Sequence, residues 1–334
     1  MNILVTGGGG FLGKEILTQL RSHYPQAKLY SVQRGHYPEL VAIGVEALQG
    51  DLSSDETYAT VLKDLKVDTV FHVAAKAGIW GKRSDYYQSN VVSTLKLLAW
   101  CKLKNVHHFI YTSTPSCVFD RSPIENGDER LPYAKSPLTH YAATKILAER
   151  AVLESHGAIL EDSGHQMQTI ALRPHLIWGN HDPHILKRII EMSKRDRLII
   201  VGNGQNLIDV THVTNVAHAH ILALQYLQEG IQHGGKAYFI GPERPIPMAA
   251  FIQKVLAQYQ LPFRPRFISL KVAYALGFMF EMIYFFLPKS WEPPLTRFLA
   301  LQLGTSHYFS HAAAYRDFAY RPKLTIEEGI RGLK

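Results

Sequence analysis

Tyr141 and Lys145 stand four residues apart in the segment Tyr141-Ala-Ala-Thr-Lys145. On a helix both side chains leave the same face and can meet one ligand. A free tyrosine has a pKa of about 10, and a neighbouring ammonium favours the phenolate and lowers that value. Tyr141 would then serve as general acid or base for carbonyl–alcohol interconversion. Upstream, Thr112-Ser113-Thr114 closes an apolar run, and a hydroxyl from that cluster would hold a carbonyl oxygen for hydride delivery. The spacing of the pair also arises by chance on many helices. Its position after the hydroxyl cluster gives it weight.

Such chemistry needs a hydride carrier, and the first twenty residues, MNILVTGGGGFLGKEILTQL, have the form of a site for one. Ile3-Leu4-Val5 reads as a buried parallel strand, and Phe11, Leu12, Ile16, Leu17 and Leu20 form an amphipathic helix pattern. Between them, Gly7 permits a tight turn and Gly10 lets backbone N–H groups approach a pyrophosphate. Gly13 lets the helix pack closely, with its N-terminus toward the phosphates. A second strand over 28–33 ends in Gln33-Arg34, where dinucleotide folds that bind NAD place an acidic residue. Arg34 there can hold a 2′-phosphate, which favours NADPH over NADH; stacking on adenine or facing water are its other uses. Lys145 also has N–H donors to spare for the nicotinamide ribose.

The alternation continues with a third strand over 45–50, a helix over 55–66 and a fourth strand over 67–75. Asp51 and Leu52 follow the third strand, Asp51 either accepting from the adenine amino group or capping the next helix. Ala74 and Ala75 are small enough for a cofactor to lie against the backbone, while His72 reads as a satisfied core residue. A loop over 76–87 leads into a long helix to about residue 104, with Asn90 either on its surface or bonded near the nicotinamide. Strands over 106–113 and 167–173 enclose a polar loop over 121–136 and a helix over 139–156. The result is an α/β fold, a Rossmann-type doubly wound parallel sheet. Residues 1–174 form the dinucleotide-binding domain. Residues 175–334 are mainly a smaller, interleaved substrate lobe, some of whose segments return to the core.

The 334 residues are 46% apolar, enough for a large core. The net charge of +8 and pI near 9.3 suit an anionic cofactor, an acidic lipid substrate or a membrane surface. Lys and Arg are scattered without a nucleic-acid motif, so no nucleic-acid partner is expected. Seventeen histidines lack zinc-type spacing, so no metal is expected, and two cysteines suggest no disulfide framework. With a strand at the N-terminus in place of a secretory signal, a cytoplasmic location is the expectation. The run over 272–287 is apolar nearly all round and broken by Glu281, shorter than the roughly twenty residues a spanning helix needs. It reads as a buried or subunit-contact helix, or as a lipid-facing lid or peripheral membrane contact. The segments 291–303 and 307–320 are expected to close over the cleft.

TGGGGFLG, the Tyr141/Lys145 pair and Tyr111-Thr-Ser-Thr114 together resemble an extended short-chain dehydrogenase/reductase. VFHVAAKAGIWG, Arg173-Pro-His-Leu-Ile-Trp-Gly179 and the segment 209–217 resemble its 3β-hydroxysteroid dehydrogenase/isomerase branch. Tyr111-Thr-Ser-Thr-Pro-Ser116, His36-Tyr-Pro-Glu-Leu40 and Pro294-Leu-Thr-Arg-Phe-Leu-Ala300 are similar to the bacterial 2-alkyl-3-oxoalkanoate reductases of olefin biosynthesis. The resemblance implies Tyr141 as proton donor, Lys145 as its modulator and Thr114 as the hydroxyl holding the oxygen, Ser113 pointing to the opposite face. Many superfamily members carry Ser where Thr114 stands, and Thr keeps the hydroxyl. It further implies NADPH-dependent reduction of a long-chain 2-alkyl-3-oxoalkanoic acid, a homodimer through the long helices, and assembly with other pathway enzymes. A sterol-type dehydrogenase, a sugar-nucleotide epimerase and a non-catalytic NADP-binding protein are the alternatives.

Overall fold

Runs such as Ile3-Leu4-Val5 and Val70-Phe71 offer no polar face to water, and the chain buries them between two layers of helices. The computed structural model describes residues 1–288 and 291–334. Seven strands make the central sheet: β1 (Asn2–Thr6), β2 (Lys28–Gln33), β3 (Val45–Gln49), β4 (Thr69–His72), β5 (His108–Thr112), β6 (Gln168–Pro174) and β7 (Lys236–Ile240). Their spatial order is β7-β6-β5-β4-β1-β2-β3, and every pairing is parallel. Helices α1 (Phe11–His23) and α4 (Val213–Gln228) cover one face. Helices α2 (83–103) and α3 (His140–Glu154) cover the other. This is the doubly wound Rossmann-type sheet that the alternation predicts. Chain order reverses between β1 and β4, the switch point at which open parallel sheets build their clefts.

The turn after β1 depends on two glycines. Gly7 has φ +71°, in the left-handed region, and a Cβ there would lie 3.0 Å from Ala74 Cα. A Cβ on Gly13 would overlap the Gly7 carbonyl oxygen. Gly13 is thus required by the turn itself, which the first turn of α1 grips.

Several segments differ from the sequence reading, each through a contact made at a distance. The helix expected over 55–66 stops at Leu62, after a wide π-type stretch over Thr57–Val61, and the Leu62 carbonyl accepts from Trp100 Nε1 at 3.2 Å. The polar loop over 121–136 contains a strand, Ile124–Gly127, whose partner is His307–Phe309 far downstream. Together with Leu207–Ile208 and Ile246–Pro247 these form a second, four-stranded sheet. Beyond Pro174 the sixteen residues of α4 add a helix that the sequence reading did not give, and β7 extends the central sheet. The segment 307–320 does not close over the cleft. Its helix Ala312–Phe318 packs back on α4 and β7, where Tyr238 Oη donates to Asp317 at 2.7 Å and Tyr320 Oη to the Gly241 carbonyl at 2.8 Å.

Helix α5 (Leu270–Phe285) buries only Ala273 and Gly277, against α6 (Arg297–Gly304). The buried-helix reading of 272–287 is therefore wrong: Phe278, Met282 and Phe285 are at least half exposed or close to it. Among the described residues no helix is long and apolar enough to cross a membrane.

Replacing Gly13 by alanine forces the glycine turn away from α1. Overpacking of this kind costs about 1–3 kcal/mol. Thermal unfolding should show a lower Tm for Gly13→Ala; an unchanged Tm would contradict the packing described.

Candidate active site

One cleft of about 640 Å³ opens at the switch point. Its walls contain every residue singled out for a nucleotide: Gly7, Gly10, Phe11 and Leu12 from the first turn, Arg34, Asp51 and Leu52 from the ends of β2 and β3, and Ala74 and Ala75 after β4. Thr114, Tyr141 and Lys145 line the same cleft. At Gly10 a Cβ would meet only the Gly7 carbonyl, at 3.2 Å. The N-terminus of α1 has no side-chain cap, so its N–H groups are left to a ligand. The residues present thus form a cradle suited to a dinucleotide.

The charges in the cleft favour an anion. Its two carboxylates are already engaged: Asp51 accepts from the Ser53 N–H and hydroxyl, each at 2.8 Å, and Asp182 accepts the N–H groups of His184, Ile185 and Leu186. Asp51 thus closes a local turn with Ser53 ahead of the helix. Arg34 is exposed at the cleft wall and has no ion pair among the described residues. Where an NAD site would carry its acid, Gln33 accepts from the Ser31 hydroxyl at 2.5 Å, and that hydroxyl accepts the Gly8 N–H.

A buried polar relay sets the floor. The Thr6 hydroxyl accepts the N–H groups of Val73 and Ala74, both at 3.1 Å, and bonds His72 Nδ1 at 2.8 Å. His72 Nε2 meets the Thr94 hydroxyl at 2.9 Å, which donates to the Asn90 carbonyl at 2.7 Å. These partners place the proton of a neutral ring on Nε2, and burial holds the imidazole at a pKa of about 3, aided by Lys145. The Asn90 amide then grips the backbone of Lys76 on both sides, at 2.7 and 3.1 Å, and donates to the Thr144 hydroxyl at 3.0 Å. Asn90 is thus neither a surface residue nor open to the cleft; it ties the loop after β4 to α3.

Helix α3 starts at Thr139, whose hydroxyl accepts the Ala142 N–H at 3.1 Å, so Tyr141 and Lys145 leave the first turns. Lys145 Nζ donates to the Thr112 carbonyl at 2.6 Å and lies 4.0 Å from the centre of the Tyr111 ring. Burial lowers its pKa to about 8, against the upward pull of Cys117 and Glu149. Tyr141 departs from the sequence expectation: burial and the nearby Cys117 push its phenol up, and only the hydrogen bond with Thr114 draws it down. In this arrangement the Lys145 ammonium is turned to the carbonyl at the end of β5.

Adjacent hydroxyls take opposite sides. Thr114 is on the cleft side, bonded to Tyr141 and accepting the Ser116 N–H at 3.2 Å. Ser113 points inward to Cys117 Sγ at 3.6 Å and to the Glu149 carboxylate. Burial would raise Glu149, but Arg173, at 2.5 and 3.0 Å, holds its carboxyl below the usual range, with Ser113 and Tyr133 assisting. Sequence reading missed this pair, the Thr6 relay and Asp182. Only Asp182, just ahead of the helix Ile185–Lys194, carried a local capping signal.

A glycine turn at the switch point, with a hydroxyl, a tyrosine and a lysine at the ends of β5 and α3, defines an extended short-chain dehydrogenase/reductase, a class of oxidoreductases. The chain belongs to the 3-beta hydroxysteroid dehydrogenase/isomerase family, whose model matches residues 4–272. It is 42% identical to a 2-alkyl-3-oxoalkanoate reductase of Stenotrophomonas maltophilia, covering 100% of this chain and 98% of the relative. It is 33% identical to a decarboxylating sterol-4-alpha-carboxylate 3-dehydrogenase of Mus musculus, covering 98% and 88%. Among solved structures, a UDP-galactose 4-epimerase superposes with a TM-score of 0.73 at 19% identity, over 99% of this chain and 97% of the other; this likeness concerns the fold.

The depressed pKa of Lys145 has a consequence for stability. Between pH 8 and the unfolded value of 10.5 the unfolded chain holds a proton that the folded chain has released. Stability from this group therefore rises with pH across that window, and its penalty is largest below pH 8. Denaturation of wild type and Lys145→Met should show the difference moving in favour of wild type from pH 7 to 9.5; a constant difference would contradict the shift.

Proposed function

We propose that this protein reduces the 3-keto group of a long-chain 2-alkyl-3-oxoalkanoic acid to the 3-hydroxy acid with NADPH, as a step in olefin biosynthesis. The observation that carries the reading is the convergence of Thr114, Tyr141 and Lys145 on the cleft that also holds the glycine turn and Arg34. The 42% identity over the full chain to a named 2-alkyl-3-oxoalkanoate reductase supports the substrate class. The sterol dehydrogenases at 33% identity favour a second reading, a sterol-type dehydrogenase using the same residues in the oxidative direction.

A bound reduced nicotinamide would supply the hydride that reaches C3. The Thr114 hydroxyl, beside Tyr141, holds the carbonyl oxygen. Tyr141 passes its phenolic proton to that oxygen as the C–O double bond opens. Burial suits this direction because it keeps the phenol protonated. Lys145, fixed by the Thr112 carbonyl, brings a positive charge next to the tyrosinate that remains and offers its other N–H donors to the ribose. Arg34, exposed at the cleft wall, would hold the 2′-phosphate of a bound NADPH.

Purified protein with NADPH should turn over long-chain 2-alkyl-3-oxo acids in a panel that includes 3-ketosteroids and nucleotide sugars. Turnover of steroids or sugars alone would overturn the substrate assignment. Tyr141→Phe should lower kcat by about 10²–10⁴-fold while NADPH binding persists; full turnover would remove Tyr141 from the mechanism. Loss of the charge-assisted bonds in Arg34→Ala should weaken NADPH binding by about tenfold or more and leave NADH binding nearly as it was. Calorimetric titration of both cofactors measures this, and equal weakening would contradict recognition of the 2′-phosphate.

A further inference from the structure

A second cavity, of about 600 Å³, lies between α5, α6 and the loop 79–84. We propose that it holds an alkyl chain of the substrate, with the carboxylate at its cationic rim; this rests on the reductase reading above.

The apolar wall consists of Trp80, Phe278, Met282, Phe285 and Phe298. Cavities of this volume lined by apolar and aromatic side chains suit small ligands. The wall is built in place. A Cβ on Gly277 would come within 2.6 Å of the Thr296 carbonyl carbon, so α5 rests directly on the start of α6. Glu281, the charge that interrupts the apolar run, accepts from the Arg297 N–H at 2.7 Å and Nε at 2.6 Å, which locks the two helices together.

The cavity neighbours the reaction cleft along two segments of the chain. Lys76 and Ala77 line the cleft and the residues that follow, Ile79–Ser84, line the cavity. Likewise Thr139 and His140 face the cavity and Tyr141 the cleft. Phe298 stacks edge-on to Phe119, just beyond the Thr114 turn, at 5.9 Å. A chain lying along Phe278 and Met282 therefore ends beside the first turn of α3.

The rim specifies an acid. Lys82 and Arg83 are exposed at the cavity and have no ion pair among the described residues, while Glu281 is spent on Arg297. Two unpaired cations at the mouth of an apolar cavity match an anionic amphiphile better than a neutral sterol.

Trp80 provides a reporter independent of turnover. A chain-brominated fatty acid below its micelle concentration should quench tryptophan fluorescence saturably, and Trp80→Phe should remove that quenching. Met282→Asp should weaken the acid by about tenfold or more. It should also lower the ratio of kcat/KM for long-chain over short-chain 2-alkyl-3-hydroxy acids, oxidised with NADP⁺, by a similar factor. Absence of quenching together with turnover indifferent to chain length would overturn the inference and leave the reductase reading standing. Quenching without turnover of any keto or hydroxy acid would overturn the reductase reading and leave an alkyl-carboxylate site. Quenching only by anionic phospholipid vesicles would reassign the face to a membrane. Conversion of a dimer to monomer by Met282→Asp, with acid binding unchanged, would reassign it to a second copy. Either reassignment overturns the inference.

Discussion

The hydroxyl of Thr6 sets the width of the cleft. It catches two successive N–H groups after β4, one residue before the chain turns at Gly7, and so pins Ala74 against the glycine turn. Without that pin the strands at the switch point would be free to part, since parallel ladders end there. The same hydroxyl fixes His72, and through Thr94 and Asn90 the constraint reaches Lys76 and Thr144 on α3. One buried relay therefore places both the cradle for the phosphates and the helix carrying Tyr141. Every member has a partner, which is what makes such a network tolerable in a core.

The charged groups follow a similar economy. Lys145 is buried, held by the Thr112 carbonyl and the face of Tyr111, and its pKa is depressed. Glu149 is buried one turn further along α3 but is neutralised by Arg173 on β6. That pairing draws Ser113 inward and leaves Thr114 as the hydroxyl beside Tyr141. Two adjacent hydroxyls thus acquire different environments from strand alternation and one ion pair.

Much of the Rossmann half was legible in the sequence because its signals are local. Apolar runs, glycine spacing and the i,i+4 pair each depend on neighbours in the chain, and β2 and α3 fall where the pattern puts them. The misses share a cause. The strand Ile124–Gly127 exists because His307–Phe309 arrives beside it, and the helix after Asp51 ends where Trp100 takes its carbonyl. Asn90 had no local sign of burial, since its partners are Lys76 and Thr144. The upward shift of Tyr141 was equally hidden, because helical spacing places Lys145 nearby without saying which way its ammonium turns.

The C-terminal half shows the limit most clearly. An apolar helix usually means core, but α5 is seated on α6 by Ala273 and Gly277 and turns its large side chains outward, over a cavity that adjoins the cleft. The central claim is reduction of a 3-oxo acid at that cleft, and isotope transfer tests it most directly. The protein would be incubated with NADPH deuterated at the transferable position and a long-chain 2-alkyl-3-oxo acid, and the product analysed by mass spectrometry. A 3-hydroxy acid carrying a single deuterium at C3 is the predicted result. Recovery of unlabelled acid, with label passing only to a steroid or to no acceptor, would contradict it.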